Sequence, residues 1–296
     1  MCSPYVMQRV KEEMSRRGLL GLAGAAAAAA LTSRIAPHVH AQDATPAASP
    51  MASPMAMGPG ALPAAVGSYT QIVDLTHLIT PTIPVWPGNP TPVITPFKTF
   101  ADDGFYANEL NYVEHTGTHL DAPVHFFEGA EYAWQMPVQN FVVPMIVIDI
   151  REKAAQDPDS QVTPDDVTAW ESANGDIPAN AFVAMNSGWA AKVNDPEAFV
   201  NLDADGVQHY PGFHPEAAMM LLEKGIAGIG VDTLSQDYGA STDFGTHIAI
   251  LGAGRYGIEG LAGLDDVPAS GATIIVGAPK FDLNSGGPSR VYALIP

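Results

Sequence analysis

From about residue 69 the chain alternates short apolar runs with breaks rich in Gly and Pro, which is the pattern of buried strands. Six runs carry it, at 72–75, 145–150, 181–185, 226–231, 272–276 and 290–295. Several end at an Asp or Asn, as when a strand delivers a polar group to the rim of a sheet. Helical patterning is scarcer. Thr163 followed by Pro164 reads as an N-cap and first turn, and residues 215–224 read as a helix stopped by Gly225. No repeat of solenoid type occurs. The pattern predicts one α/β domain over about 67–296, with a mixed sheet rather than a doubly wound one.

The first 66 residues follow a different rule. Ser15-Arg16-Arg17-Gly18-Leu19-Leu20 resembles a twin-arginine export consensus, an Ala-rich apolar run continues to Leu31, and Val39-His40-Ala41 offers a small-residue cleavage site. The run is too short to span a bilayer in the usual way. Residues 1–41 are therefore expected to be an export signal, read by the twin-arginine machinery, and the protein to act outside the cytoplasm. That route carries folded proteins, which suits a metal loaded before export. Residues 42–66 are Ala, Pro, Ser, Met and Gly, with too few branched or aromatic side chains to form a core, and read as a disordered linker.

Charge narrows the partners. Five of the 13 Lys and Arg lie in the first 41 residues; the remainder carries 8 basic against 30 acidic residues, a net of −22. So acidic a body repels phosphate backbones, and nucleic-acid binding is not expected. The single cysteine, Cys2, falls in the expected signal, leaving no disulfide or thiolate chemistry.

The chemistry concentrates at 115–125, His-Thr-Gly-Thr-His-Leu-Asp-Ala-Pro-Val-His. Of seven histidines beyond the signal, three fall in these eleven positions, and with Asp121 they suit a borderline divalent ion such as zinc, manganese or iron. In extended chain His119 and Asp121 share a side. His115 joins them if Gly117 turns the backbone sharply, and Pro123 rules out a continuous helix, so His125 returns from a loop. The alternatives are a polar turn without metal, or a structural metal site. A zinc staple usually uses cysteines and closes four local ligands, whereas this cluster leaves a histidine free as acid or base.

The run His115 to His125 resembles the signature of the cyclase-like superfamily, which includes bacterial kynurenine formamidase and isatin hydrolase. Asp74-Leu75-Thr76-His77, Pro84-Val85-Trp86-Pro87-Gly88-Asn89-Pro90, Ser187-Gly188-Trp189, Pro211-Gly212-Phe213-His214, Gly230-Val231-Asp232-Thr233 and the closing 287–294 resemble further family segments in the same order. The resemblance implies a swivelling β/β/α fold and one or two divalent ions, zinc or manganese. His115, His119 and Asp121 would hold the first, and Asp121 would bridge to a second held by His247 and Glu259, twelve residues apart. It implies His125 as proton shuttle, with a ligand role the alternative, and a homo-oligomer, dimer or larger. The substrate would be a small formamide, cyclic amide or related ester or lactone, with Trp86 and Phe126 lining an aromatic-accepting pocket. Gly260 stands where many members carry Asn, and Asn89 where an Asp is common.

Other candidates carry less. His77 follows a strand and either reaches the site or satisfies a turn; His209 and His214 read as structural or surface residues, and Asp232 as a strand-end acceptor. Neither a dinucleotide fingerprint nor a nucleophile elbow is present. The sequence therefore points to a metal-dependent hydrolase of a non-peptide C–N bond. The alternatives are lactone cleavage, cyclisation or dehydration on the same centre, or an exported binding protein without turnover.

Overall fold

The computed structural model describes residues 69–296, so the export signal and linker expected over 1–66 lie outside the described residues. In chain order the elements are β1 (Gln71–Asp74), β2 (Val93–Lys98), α1 (Phe100–Asp103), β3 (Ala107–Asn111), β4 (His119–Asp121), β5 (Val142–Asp149), α2 (Arg151–Gln156), β6 (Gln161–Val162), α3 (Pro164–Asn174), β7 (Phe182–Asn186), α4 (Pro196–Val200), β8 (Gly212–Phe213), α5 (Pro215–Glu223), β9 (Gly228–Val231), α6 (Gly245–Gly252), β10 (Tyr256–Glu259), β11 (Ala272–Gly277), β12 (Gly286–Pro288) and β13 (Arg290–Ile295).

Nine strands form one mixed sheet in the order β1-β13-β11-β5-β7-β9-β10-β4-β12. Its centre, β5-β7-β9-β10, is parallel, and both flanks are antiparallel. Each of the six apolar runs is a strand of this sheet. Period-two alternation splits their side chains between two cores. Val143, Met145 and Val147 of β5 join Phe182 and Ala184 of β7 in one. Ile146 and Ile148 join Val183 and Met185 in the other, beneath α3 and α5. Being buried on both faces is why these strands read as continuous apolar runs rather than alternating ones. The single α/β domain with a mixed sheet is as expected.

The expected helix starts also hold. Thr163 accepts from the Asp166 N–H while the Asp166 carboxylate accepts from the Thr163 N–H, a capping box ahead of Pro164. Trp170 of α3 donates its indole N–H to the Val147 carbonyl at 2.9 Å, pinning the helix to β5. Helix α5 is capped by His214 and leaves through Gly225 at φ +76°.

Residues 96–108 are a separate small unit. Thr99 caps α1, Gly104 at φ +78° ends it, and Lys98 pairs with Asp103 at 2.8 Å.

Ile229 of β9 is fully buried in the core under the helices. Ile229→Ala is expected to cost about 2–5 kcal/mol of folding stability by the lost burial and the cavity left behind. Urea unfolding measures this; a loss below about 1 kcal/mol would contradict the packing described.

Candidate metal centre

Sheet register assembles the site. β4 runs antiparallel to β10, with His119 opposite Glu259 and Asp121 opposite Gly257. His119 and Asp121 are two apart on one strand, so both share the face that Glu259 presents. Gly117, at φ +66°, makes the sharp turn that brings His115 to them, and a Cβ there would meet Ile83 at 3.0 Å. His115 Nδ1 lies 2.7 Å from Asp121 Oδ1, and Gly286 on β12 leaves room for the His115 ring, since a Cβ would sit 2.9 Å from its Cε1. His125 comes from a 3-10 turn at Pro123–His125, more regular than the loop expected, and stacks on His115 with centroids 3.8 Å apart. His247 arrives on α6, which no sequence signal announced.

The hydrogen bonds fix which ring nitrogens are bare. His119 Nδ1–H donates to the Gly117 carbonyl at 2.9 Å, which can only accept, so in the neutral ring Nε2 carries the lone pair. That Nε2 is buried without a hydrogen-bond partner, yet lies 3.3 Å from Asp121 Oδ1 and 3.3 Å from Glu259 Oε2. His247 Nδ1–H donates to Asp237 Oδ2 at 2.6 Å, and its Nε2 lies 3.1 Å from Glu259 Oε1 and 3.4 Å from Asp121 Oδ2. Two imidazole lone pairs thus converge on two buried carboxylates, acceptors facing acceptors. Only a cation or added protons relieve that arrangement. Atoms that each sit ~2.0–2.1 Å from a tetrahedral ion lie about 3.3 Å from one another, so the spacing fits a divalent metal.

The same geometry governs protonation. Burial alone would lower the His119 imidazole, but hydrogen bonds and charge from Asp121 and Glu259 outweigh it and push it up to about 10. His247 is likewise raised well above its ordinary value against its burial, by Asp121, Asp237 and Glu259. Burial would raise the Asp121 carboxyl, yet His115, His119 and His247 hold it well below the usual carboxylate range. His125 is lowered to about 4, chiefly by desolvation, with His115 and His247 adding to that and Asp121 and Glu259 opposing it. One side of its ring nonetheless remains open to the cavity above the centre.

That cavity holds about 430 Å³. The expected Trp86 and Phe126 both line it, joined by Phe244, which the sequence reading missed; the Phe126 and Phe244 rings meet at 5.7 Å. His77 also lines it, its Nε2 buried and unpartnered, so of its two sequence readings the structure takes the one in which it reaches the site. His209 and His214 do not line it. His209 lies between Asp159 and Asp203, and Asp232 accepts from Ser187 and the Trp189 N–H as a strand-end acceptor. The geometry divides the ligands differently from the resemblance. His119, Asp121 and Glu259 form one cluster, His115, Asp121 and His125 another.

Comparison with known proteins follows the same lines. The family described as "Putative cyclase" matches residues 73–238, more than half of the chain. The chain belongs to the cyclase family. Isatin hydrolase of Roseibium aggregatum is 35% identical over 243 residues, 76% of this chain and 92% of that protein. Kynurenine formamidase of Salinibacter ruber is 27% identical over 199 residues, 67% of this chain and 84% of that protein. The crystal structure of an isatin hydrolase bound to the product analogue thioisatinate superposes with a TM-score of 0.73 at 32% identity, covering 76% of this chain and 92% of that one. The protein is thus a cyclase-family hydrolase of amidohydrolase type, with His, Asp and Glu groups able to bind a metal.

Because Asp121 and Glu259 raise the His119 and His247 imidazoles, protons compete with an ion for their Nε2 atoms. Titration calorimetry with Mn²⁺ in two buffers of different ionisation enthalpy is expected to detect release of about one to two protons per chain, with affinity rising from pH 6 to pH 9. Affinity independent of pH would contradict the arrangement.

Proposed function

We propose that this protein is an exported, metal-dependent hydrolase of small, uncharged aromatic amides, cyclic amides above all. The convergence of two bare imidazole nitrogens and two carboxylates on the floor of an aromatic-walled cavity carries the reading. His119, Asp121, Glu259 and His247, with His115 beside them, would hold a zinc or manganese ion. Such an ion supplies Lewis acidity toward a carbonyl and lowers the pKa of water toward ~7.

The chain's own residues supply the rest. Trp86, Phe126 and Phe244 offer flat apolar walls to an aromatic ring. His125 lines the cavity and stacks on His115, where an imidazole can accept a proton and deliver it to the departing nitrogen. Among the described residues the lining contains no Lys or Arg, and Asn89 stands in it as a neutral side chain. A substrate with a charged amino-acid head group would lose its hydration there with no opposite charge to receive it. A neutral bicyclic lactam loses nothing comparable. The names of the isatin hydrolase relatives support that choice over the formamidase one. Export rests on Ser15-Arg16-Arg17 and the apolar run after it, and self-association on the family resemblance.

Steady-state assays of the metal-loaded protein test this. The value of kcat/KM for a neutral aromatic lactam is expected to exceed that for an N-formyl aromatic amino acid by at least about tenfold, one charged group's unmatched desolvation. His125→Ala is expected to lower kcat by about 10²–10⁴ while keeping its metal. Equal rates on both substrates would refute the specificity, and loss of metal in His125→Ala would make that histidine a ligand instead.

A further inference from the structure

The metal centre has two faces: on one, His115 Nδ1 lies 2.7 Å from Asp121 Oδ1, and on the other both carboxylate oxygens meet N–H donors of a single residue. Asp121 Oδ1 and Glu259 Oε2 point at His119 Nε2. Asp121 Oδ2 and Glu259 Oε1 point at His247 Nε2. Two carboxylates so placed are able to bridge a pair of ions, one on each face.

Gln236 intervenes on the second face. Its side-chain amide donates to Asp121 Oδ2 at 2.7 Å, and its backbone N–H donates to Glu259 Oε1 at 2.9 Å. One residue thus supplies both oxygens of that face with N–H donors, and the His119 face receives none from it. The orientation of the amide follows from chemistry. A carboxylate accepts only, so Nε2 must face Asp121, and Oε1 is left buried without a partner. A buried orphan of that kind costs free energy, and here it is the consequence of aiming the donor at Asp121.

The surroundings are shaped to admit this amide. Gln236 is fully buried. It lies over Gly257, the residue opposite Asp121 across the β4–β10 pair. A Cβ on Gly257 would stand 2.0 Å from Gln236 Nε2 and 2.2 Å from its Cδ, so only glycine leaves the passage open. The next residue, Asp237, accepts from Thr246 N–H, His247 N–H and His247 Nδ1–H. It therefore holds the turn against the start of α6 and fixes Gln236 in place.

We propose that Gln236 is a positioning residue that makes the centre a one-ion site, its side-chain amide standing where a second cation would otherwise be bound. This deepens the metal reading above and rests on it. The residue does not line the cavity; it acts through Asp121 and Glu259, and its effect is read in metal stoichiometry rather than in turnover.

The test loads the full chain with excess Mn²⁺, removes unbound ion by gel filtration, and counts bound ion by elemental analysis. Electron paramagnetic resonance on the same samples separates isolated from exchange-coupled Mn²⁺. The unaltered protein is expected to retain one ion per chain with an uncoupled spectrum. Gln236→Met, which keeps length but loses the side-chain donor, and Gln236→Glu, which puts a third carboxylate there, are each expected to retain two, with coupling between them. Gly257→Ala, which displaces the amide without altering Gln236, is expected to behave like Gln236→Met and guards against one variant failing to fold. Two ions in the unaltered protein, or one in every folded variant, would overturn the proposal alone. No ion in any of them would overturn the metal reading and this proposal together.

Discussion

The pairing of β4 with β10 is the constraint on which the rest depends. It sets His119 across from Glu259 and Asp121 across from Gly257. A slip of one residue would turn His119 and Asp121 to the opposite face of the sheet and dismantle the centre. The register is held from both sides. β4 is fully buried; Leu120 points into the apolar core while its neighbours point to the centre; and β12 closes the other edge, with Gly286 against Asp121 and Pro288 against His119. The polar cluster therefore stands on a buried strand held on both edges, at the antiparallel flank of a parallel sheet.

Rigidity has an electrostatic consequence. Buried carboxylates and imidazoles are costly unless each finds an opposite charge or a donor. Among the described residues the donors nearest the centre are already assigned. Gly117 and Asp237 take ring protons of His119 and His247, His115 pairs with Asp121 Oδ1, and Gln236 donates to one oxygen of each carboxylate. What remains is a set of lone pairs aimed inward, and the fold holds them there. Such preorganisation lets a cation be bound without the chain rearranging, and keeps the floor of the cavity fixed beneath whatever the aromatic walls admit.

The sequence disclosed these features unequally. The central strands were legible because burial on both faces produces uninterrupted apolar runs, as at 145–150 and 181–185. The cluster at 115–125 was legible because its geometry is local, one short strand and one glycine turn. His247 and Glu259 were visible only through the family resemblance, because what unites them with His119 is sheet pairing between distant segments. β10 is four residues long and α6 eight, too short to declare themselves by periodicity. Gln236 and Asp237 were missed altogether. The available hint was two polar residues between an apolar run ending at Val231 and the histidine at 247, but nothing in their spacing says that they turn back onto the metal ligands. Phe244 was missed for the same reason: its left-handed backbone, at φ +52°, is a property of the folded turn.

The inward-facing donors are those proposed to bind a divalent cation. Anomalous diffraction from crystals of the manganese-loaded protein, measured where manganese scatters strongly, is the decisive measurement. A peak bounded by His119 Nε2 and the carboxylates of Asp121 and Glu259 is expected. Full metal loading with no peak there, or with the ion held elsewhere on the acidic surface, would contradict that assignment.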